Sequence, residues 1–242
     1  MKFRGQSYQF KPRWSFFLLT VVMVTLFINL GCWQLSRAQQ KRTWMTLYQN
    51  RLKAPPVPLE QLPPSSDRRF YPVLLKGHYD NPHTFLLDNR IYHHQVGYEV
   101  LTPFITPHKI VLVNRGWIPA SPDRQQLPVI PVNNSQTIQG IVFMPDKKPF
   151  MLGNAVAQNS WPMRLEGFDP AAIHTVLNQP VEPYMIWLTQ GPTQGMIRDW
   201  HPVSSPPEKH TGYAVQWFTF AAVMIIIFIL LSFQKTKTGS YP

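Results

Sequence analysis

The stretch "EKHTGYAVQWFTFAAVMIIIFILLSF", residues 208–233, decides the architecture. No charged side chain occurs from Thr211 through Gln234. A helix of roughly 20 apolar residues crosses the hydrocarbon of a bilayer, and this run reaches that length. A second run of the same kind, "SFFLLTVVMVTLFINLGCW", lies near the other end of the chain, with no charge from Trp14 through Ser36. Trp14 and Trp33 mark the ends of that run, and Tyr213 and Trp217 mark the start of the later one. Amphipathic rings settle at headgroup level, so their placement fits two spans. The sequence predicts transmembrane helices over 14–36 and 210–234, short tails at 1–13 and 235–242, and one large domain between them. The first apolar run exceeds the roughly 7–15 residues of an export signal and has no small-residue cleavage site after it. Cys32 follows a glycine as a lipidated cysteine would, but Asn29 stands where a bulky aliphatic is needed. A retained anchor is expected.

Charge sets the expected orientation. The tails carry Lys2, Arg4, Lys11, Arg13, Lys235 and Lys237 and no acid, whereas all 12 acidic residues fall between the spans. Short basic tails stay inside and a long loop translocates largely regardless of its charge. Both termini are therefore expected in the cytoplasm, with the domain outside. The net charge of +11 is read as membrane topology plus a mildly basic domain. No basic run is interleaved with stacking aromatics, so nucleic-acid binding is not expected. The lone cysteine, Cys32, precludes an intrachain disulfide, Cys-x-x-Cys chemistry, covalent c-type haem attachment and thiolate zinc sites.

Between the spans, "QLSRAQQKRTWMTLYQNRLKAP" spaces Leu35, Ala38, Trp44, Leu47 and Tyr48 helically, predicting that the first helix continues through about residue 53. Residues 54–67, "APPVPLEQLPPSSD", are dense in proline and predict an extended linker. Strand patterns follow in "FYPVLLKGHYD", "HTFLLDNRIY", "VGYEVLTPFIT", "KIVLVNRGWIP", "QTIQGIVFMP", "PMRLEG" and "EPYMIWLTQ", separated by proline, asparagine and aspartate turns. In "DPAAIHTVLN", Asp169 is a natural N-cap and Pro170 suits the first helical position. Short links favour antiparallel neighbours. The expected fold is an α+β membrane protein: two transmembrane helices flanking a mainly antiparallel β domain, a curled sheet or open barrel, with one short helix.

No nucleophile elbow, phosphate loop, dinucleotide fingerprint or zinc-protease motif is present, and the carboxylates are scattered. No enzyme activity is expected. His93 and His94 point to opposite faces of a strand. His78, His83, His108, His174 and His201 lack ligand spacing and read as turn or surface residues. Asp88 and Arg90 share one strand face and predict an ion pair. In "VLVNRGWIP", Arg115, Gly116 and Trp117 read either as a structural corner, with Arg115 paired to an acid and Trp117 in the core, or as a site for a partner. His210, Tyr213 and Trp217 share a helix face, with Ala214 a small neighbour. Two readings stand for His210. It snorkels with Lys209 at the headgroups, or it offers a neutral imidazole to haem iron.

Four segments together resemble the SURF1 (Shy1-like) family of cytochrome c oxidase assembly proteins. They are "LGCWQLSRAQQKR", "LLDNRIYHHQVGYEVLTPF", "VLVNRGWIP" and "RDWHPVSSPPEKHTGYAVQWF", in the family's order and with its two-span layout. The resemblance implies an assembly factor for haem-copper oxidase that binds haem a and assists its insertion into the catalytic subunit. It implies His210 as the axial ligand, with Tyr213, Ala214, Trp217 and Trp33 as pocket candidates. Lys209, Arg37 and Arg198 are candidates for the propionates. Implied partners are the oxidase catalytic subunit, haem A synthase and membrane lipid. The implied compartment is the bacterial cytoplasmic membrane, since thirteen residues are short for a mitochondrial presequence. A scaffold without haem, docking nascent oxidase subunits through the β domain, is the alternative.

Overall fold

The computed structural model describes residues 2–3, 6–62, 67–145 and 160–235. The chain divides into two compact units, one of Met1–Thr46 with Pro202–Pro242 and one of Leu47–His201. Helices are α1 (Trp14–Arg51), α2 (Pro170–Leu177) and α3 (Pro207–Ser232). Strands, in chain order, are β1 (Lys2–Phe3), β2 (Gln6–Phe10), β3 (Val57–Pro58), β4 (Pro72–Lys76), β5 (His78–Tyr79) and β6 (Phe85–Tyr92). They continue as β7 (Gln95–Ile105), β8 (Ile110–Pro119), β9 (Thr137–Phe143), β10 (Met163–Leu165), β11 (Val181–Leu188) and β12 (Phe233–Lys235).

In the first unit, α1 and α3 are both long and apolar enough to cross a membrane. Most of their large apolar side chains, among them Leu18, Val22, Ile226 and Leu230, are exposed, as lipid-facing residues are. Small residues line the seam. Ala38, Ala214 and Ala221 are buried, and a Cβ on Gly31 would lie 2.5 Å from the Phe218 ring. Such residues let apolar helices approach closely where no hydrophobic force draws them together. Polar side chains within the apolar runs satisfy themselves on carbonyls one turn back: Thr20 on Phe16, Asn29 on Thr25, Thr219 on Val215 and Ser232 on Phe228. That arrangement suits a medium without water. The ends of the chain, expected to be plain tails, pair instead. β2 lies antiparallel to β12, Phe10 opposite Phe233, and β1 pairs with β2. Residues 236–242 lie outside the described residues.

The second unit is one open sheet in the order β10-β6-β7-β8-β11-β9-β4-β3, with β5 added beside β7. Successive strands β6, β7 and β8 are antiparallel, as are β4, β9 and β11. The expected mainly antiparallel sheet is present, and it is not closed. β11 inserts between β8 and β9 and runs parallel to β8, after α2 has crossed over from β10. Alternation sends side chains to both faces. Val111, Val113, Tyr184, Ile186 and Leu188 join one core, while Leu112, Met185 and Trp187 join another with Ile173 of α2. β8 is accordingly buried at successive positions, as expected of a strand covered on both faces. Asp169 caps α2 through the Ala171 N–H at 3.0 Å, and Asn178 ends it in the left-handed region.

The proline-rich segment, expected to be an extended linker, holds a short strand and then a single 3-10 turn at Leu59–Gln61, and 57–62 is no free tether. β3 pairs with β4 at the sheet edge, where proline is tolerated, and Leu59 and Leu62 are buried in the first core. Residues 63–66 of the expected linker lie outside the described residues.

Candidate functional site

His210 sits in the first turn of α3, and its Nδ1–H donates to Gln34 Oε1 of α1 at 2.7 Å. The imidazole is half-buried and faces the other apolar helix. Nε2 has no hydrogen-bond partner among the described residues. A neutral imidazole carries one proton. With that proton on Nδ1, held by Gln34, the Nε2 lone pair is left for a Lewis acid. Arg42 Nη2 donates to Thr211 Oγ1 at 3.1 Å, adding a second polar tie between the helices.

The other candidates at this level divide into two groups. Ala214, 1% exposed, is packed in the seam, and Trp217 lies against Phe27 with ring centroids 5.8 Å apart and planes inclined by 26°. These two close the helix pair below His210 and do not open a slot. Tyr213 and Trp33 are about half exposed. Lys209 is exposed. Arg37 donates to Gln40 and lies 5.9 Å from the Trp33 ring centroid. His210, Trp33, Tyr213, Lys209 and Arg37 thus offer an imidazole donor, open aromatic surface and two cations within one unit. Those types fit an amphiphilic iron porphyrin: nitrogen for the metal, rings for the macrocycle, cations for carboxylates. Gln34 was missed by sequence reasoning. Its signal was indirect, since Gly31, Gln34 and Ala38 fall at helical spacing on the small-residue face.

Arg198 belongs to the other unit and is otherwise engaged. Its Nε, Nη1 and Nη2 donate to the carbonyls of Arg115, Gly191 and Pro192 at 3.1, 3.0 and 2.7 Å. Burial lowers its pKa from the ordinary value. Nearby, the "NRGW" residues form a structural corner whose details differ from expectation. Arg115 is 1% exposed but meets no acid among the described residues. Its donors go to Thr102 Oγ1 at 3.4 Å, and to the Pro131 carbonyl and Gln194 Oε1, both at 2.5 Å. Burial lowers its pKa, opposed by Tyr79 and assisted by Arg198. The pairing of β7 and β8 shifts between Val100 and Leu101, facing Gly116 and Asn114, so Arg115 is the extra residue of a bulge. Gly116 has φ +133°, which permits the next residue, Trp117, to bridge Ile197 by two backbone bonds of 2.7 and 2.8 Å. Trp117 fills the core at 7% exposure and donates Nε1–H to the Arg90 carbonyl.

The expected Asp88–Arg90 pair does not form. Asn89 takes φ 56° and the β6–β7 register shifts between Leu87 and Arg90, which breaks the alternation that would have put both on one face. Asp88 is instead held by Arg124 Nη2, 2.6 and 2.7 Å from its two oxygens, and Arg90 lies 3.8 Å from Glu99. His83 is tied to Asp80 at 2.7 Å and meets the Trp161 ring, beside a cavity of about 170 Å³. Among the described residues no cluster of three His, Cys, Asp or Glu side chains could hold a metal ion.

Paired apolar helices joined to an open, mainly antiparallel β domain define a two-helix membrane-type protein with one large non-membrane domain. The model of the SURF1 family matches residues 21–222, which is most of the chain, and the chain belongs to that family. A SURF1-like protein of Rickettsia felis is 26% identical over 224 residues, covering 88% of this chain and 95% of that protein. A SURF1-like protein of Rickettsia conorii is 26% identical over 223 residues, covering 88% and 89%. Surfeit locus protein 1 of Takifugu rubripes is 24% identical over 250 residues, covering 92% and 98%. The family match begins within α1, takes in the β domain and ends within α3.

Proposed function

We propose that this protein is a non-enzymatic assembly factor for haem-copper cytochrome c oxidase, and that it holds haem a at the membrane interface on the way to the catalytic subunit. The reading places it in the bacterial cytoplasmic membrane with both termini cytoplasmic and the β domain periplasmic. Its direct partners are the oxidase catalytic subunit and haem A synthase. Family membership supports the assembly role. The observation that carries the haem role is the His210 imidazole, turned toward the facing helix with Nδ1–H committed to Gln34 and Nε2 without a hydrogen-bond partner among the described residues.

What haem a requires of a carrier is a neutral nitrogen donor for its iron, apolar surface for its farnesyl chain and cations for its propionates. His210 serves as the donor, Tyr213 and Trp33 as flanking rings, and Lys209 and Arg37 as the cations. Arg198 is left out, because its donors are already taken by carbonyls.

Purification from cells that make haem A tests the reading. The wild-type chain retains haem a with an imidazole-ligated spectrum, and His210→Ala loses most of it. An unchanged spectrum in the variant removes His210 from the account. One observation favours the scaffold alternative. Ile91, 72% exposed, faces Val96, 41% exposed, across the β6–β7 hairpin, an apolar pair at a sheet end that a nascent subunit could cover. On that reading Ile91→Lys with Val96→Lys abolishes oxidase assembly while His210→Ala is nearly silent.

A further inference from the structure

We infer that Gln34 is the positioning residue of the His210 site: its side-chain oxygen fixes the imidazole tautomer and ring angle and raises the donor strength of Nε2 toward iron. The inference rests on the haem reading of His210 and deepens it by naming what regulates the ligand.

The geometry has three parts. The Gln34 Oε1 to His210 Nδ1 distance is 2.7 Å, at the short end of the usual range for an N–H···O bond. Gln34 is not a surface side chain free to leave. Gly31, three residues before it, has no room for a Cβ against Phe218, and Ala38, four residues after it, is fully buried. The three share one face of α1, so the close approach that Gly31 permits also delivers the amide to the imidazole. Ala214, one turn beyond His210 on α3, is buried in the same seam. Both partners are therefore anchored by small-residue contacts on the same side of each helix.

The chemistry follows. An imidazole attached only at Cβ rotates, and either nitrogen can carry the proton. A carbonyl acceptor at Nδ1 removes both freedoms and pushes electron density toward Nε2, as the outer partners of metal-bound histidines do. A more basic Nε2 favours ferric over ferrous iron. Loss of such an outer partner costs about 10–100-fold in metal affinity, and an uncharged amide belongs at the lower end, about tenfold. If that factor falls on the ferric form alone, the midpoint potential rises by about 59 mV, the one-electron equivalent of tenfold.

The test uses the full chain purified with haem a, and compares wild type, His210→Ala, Gln34→Leu and Gln34→Glu. The readouts are haem retained per protein, the iron–histidine stretching band and the midpoint potential. Gln34→Leu is expected to lose about tenfold in affinity, weaken the band and raise the potential. Gln34→Glu, isosteric and a stronger acceptor, is expected to shift band and potential the opposite way, beyond wild type. A hole in the packing would not reverse sign with a carboxylate. If His210→Ala loses the ligand signature while both Gln34 variants match wild type, the positioning role is overturned and the haem reading stands. If His210→Ala keeps its spectrum, the haem reading falls and the inference falls with it. Should Gln34→Leu fail to insert, the Gln34→Glu shift alone decides: no displacement of band or potential overturns the inference.

Discussion

Substituting Gly116 by alanine tests whether the β8 corner is a structural device. At φ +133° an L-residue is confined to a sparsely populated region, at a cost of order 1–3 kcal/mol. The new Cβ would also lie 2.8 Å from the Ile197 carbonyl oxygen and 2.9 Å from Met196 Cβ. Neither neighbour is a flexible chain end, so the Met196–Ile197 backbone must move. That movement breaks the two bonds joining Trp117 to Ile197, each worth about 0.5–1.5 kcal/mol net. The sum is about 2–6 kcal/mol. For a chain of this size 1 kcal/mol lowers the melting midpoint by roughly 2–4 °C, so Gly116→Ala is expected to melt roughly 4–24 °C below wild type. Thermal unfolding of the detergent-solubilised chain, followed by tryptophan fluorescence, reads the effect, since Trp117 itself reports the corner. Gly212→Ala is the control. Its Cβ meets nothing within 4 Å, and alanine in a helix gains up to about 1 kcal/mol over glycine. A Gly116→Ala midpoint within 2 °C of wild type would refute the argument, and with it the account of why a glycine stands between Arg115 and Trp117.

Burial pushes the Tyr79 phenol up to about 12, with Arg115 and Arg198 pulling the other way. A folded-state value above the unfolded one contributes stability that is complete below pH 10 and lost as pH rises toward 12. Tyr79→Phe should therefore flatten the alkaline decline of the melting midpoint over that window, by up to about 3 kcal/mol at its top. An identical decline in wild type and variant would exclude the assignment. Leu112 of β8 is fully buried in the second core, and Leu112→Ala should cost about 2–5 kcal/mol in the same melting assay. A loss below 1 kcal/mol would mean that the second core is not packed as described.

Much of the architecture was legible because it is written locally. The apolar runs, the β-rich composition of 110–119 and the Asp169-Pro170 cap each depend on residues a few positions apart. Strand order does not. Nothing in "EPYMIWLTQ" tells that β11 slides between β8 and β9, because both neighbours offer it the same backbone ladder and only the folded core selects among them. The Asp88–Arg90 error has a single-residue cause. Asn89 enters the left-handed region, and one departure from the pleat undoes every face assignment beyond it. Arg115 eluded the search for an acid because neutral oxygens solvate it, one of them from Gln194, far along the chain. His210 was visible as a polar residue at a helix mouth, but Gln34 was not, since the register of one helix against the other is set by the Gly31–Phe218 approach and not by a pattern in either helix.

The pairing of β2 with β12 bears on how the first unit can move. Ladder bonds tie the segment before α1 to the segment after α3, and the Lys11 amide also reaches the Ser232 carbonyl at 2.7 Å. His210 lies at the opposite end of α3, roughly 33 Å away at 1.5 Å per residue. That end is fastened as well, by the Arg42–Thr211 and Gln34–His210 bonds, so neither helix can slide along the other without giving up hydrogen bonds at both extremes of the pair.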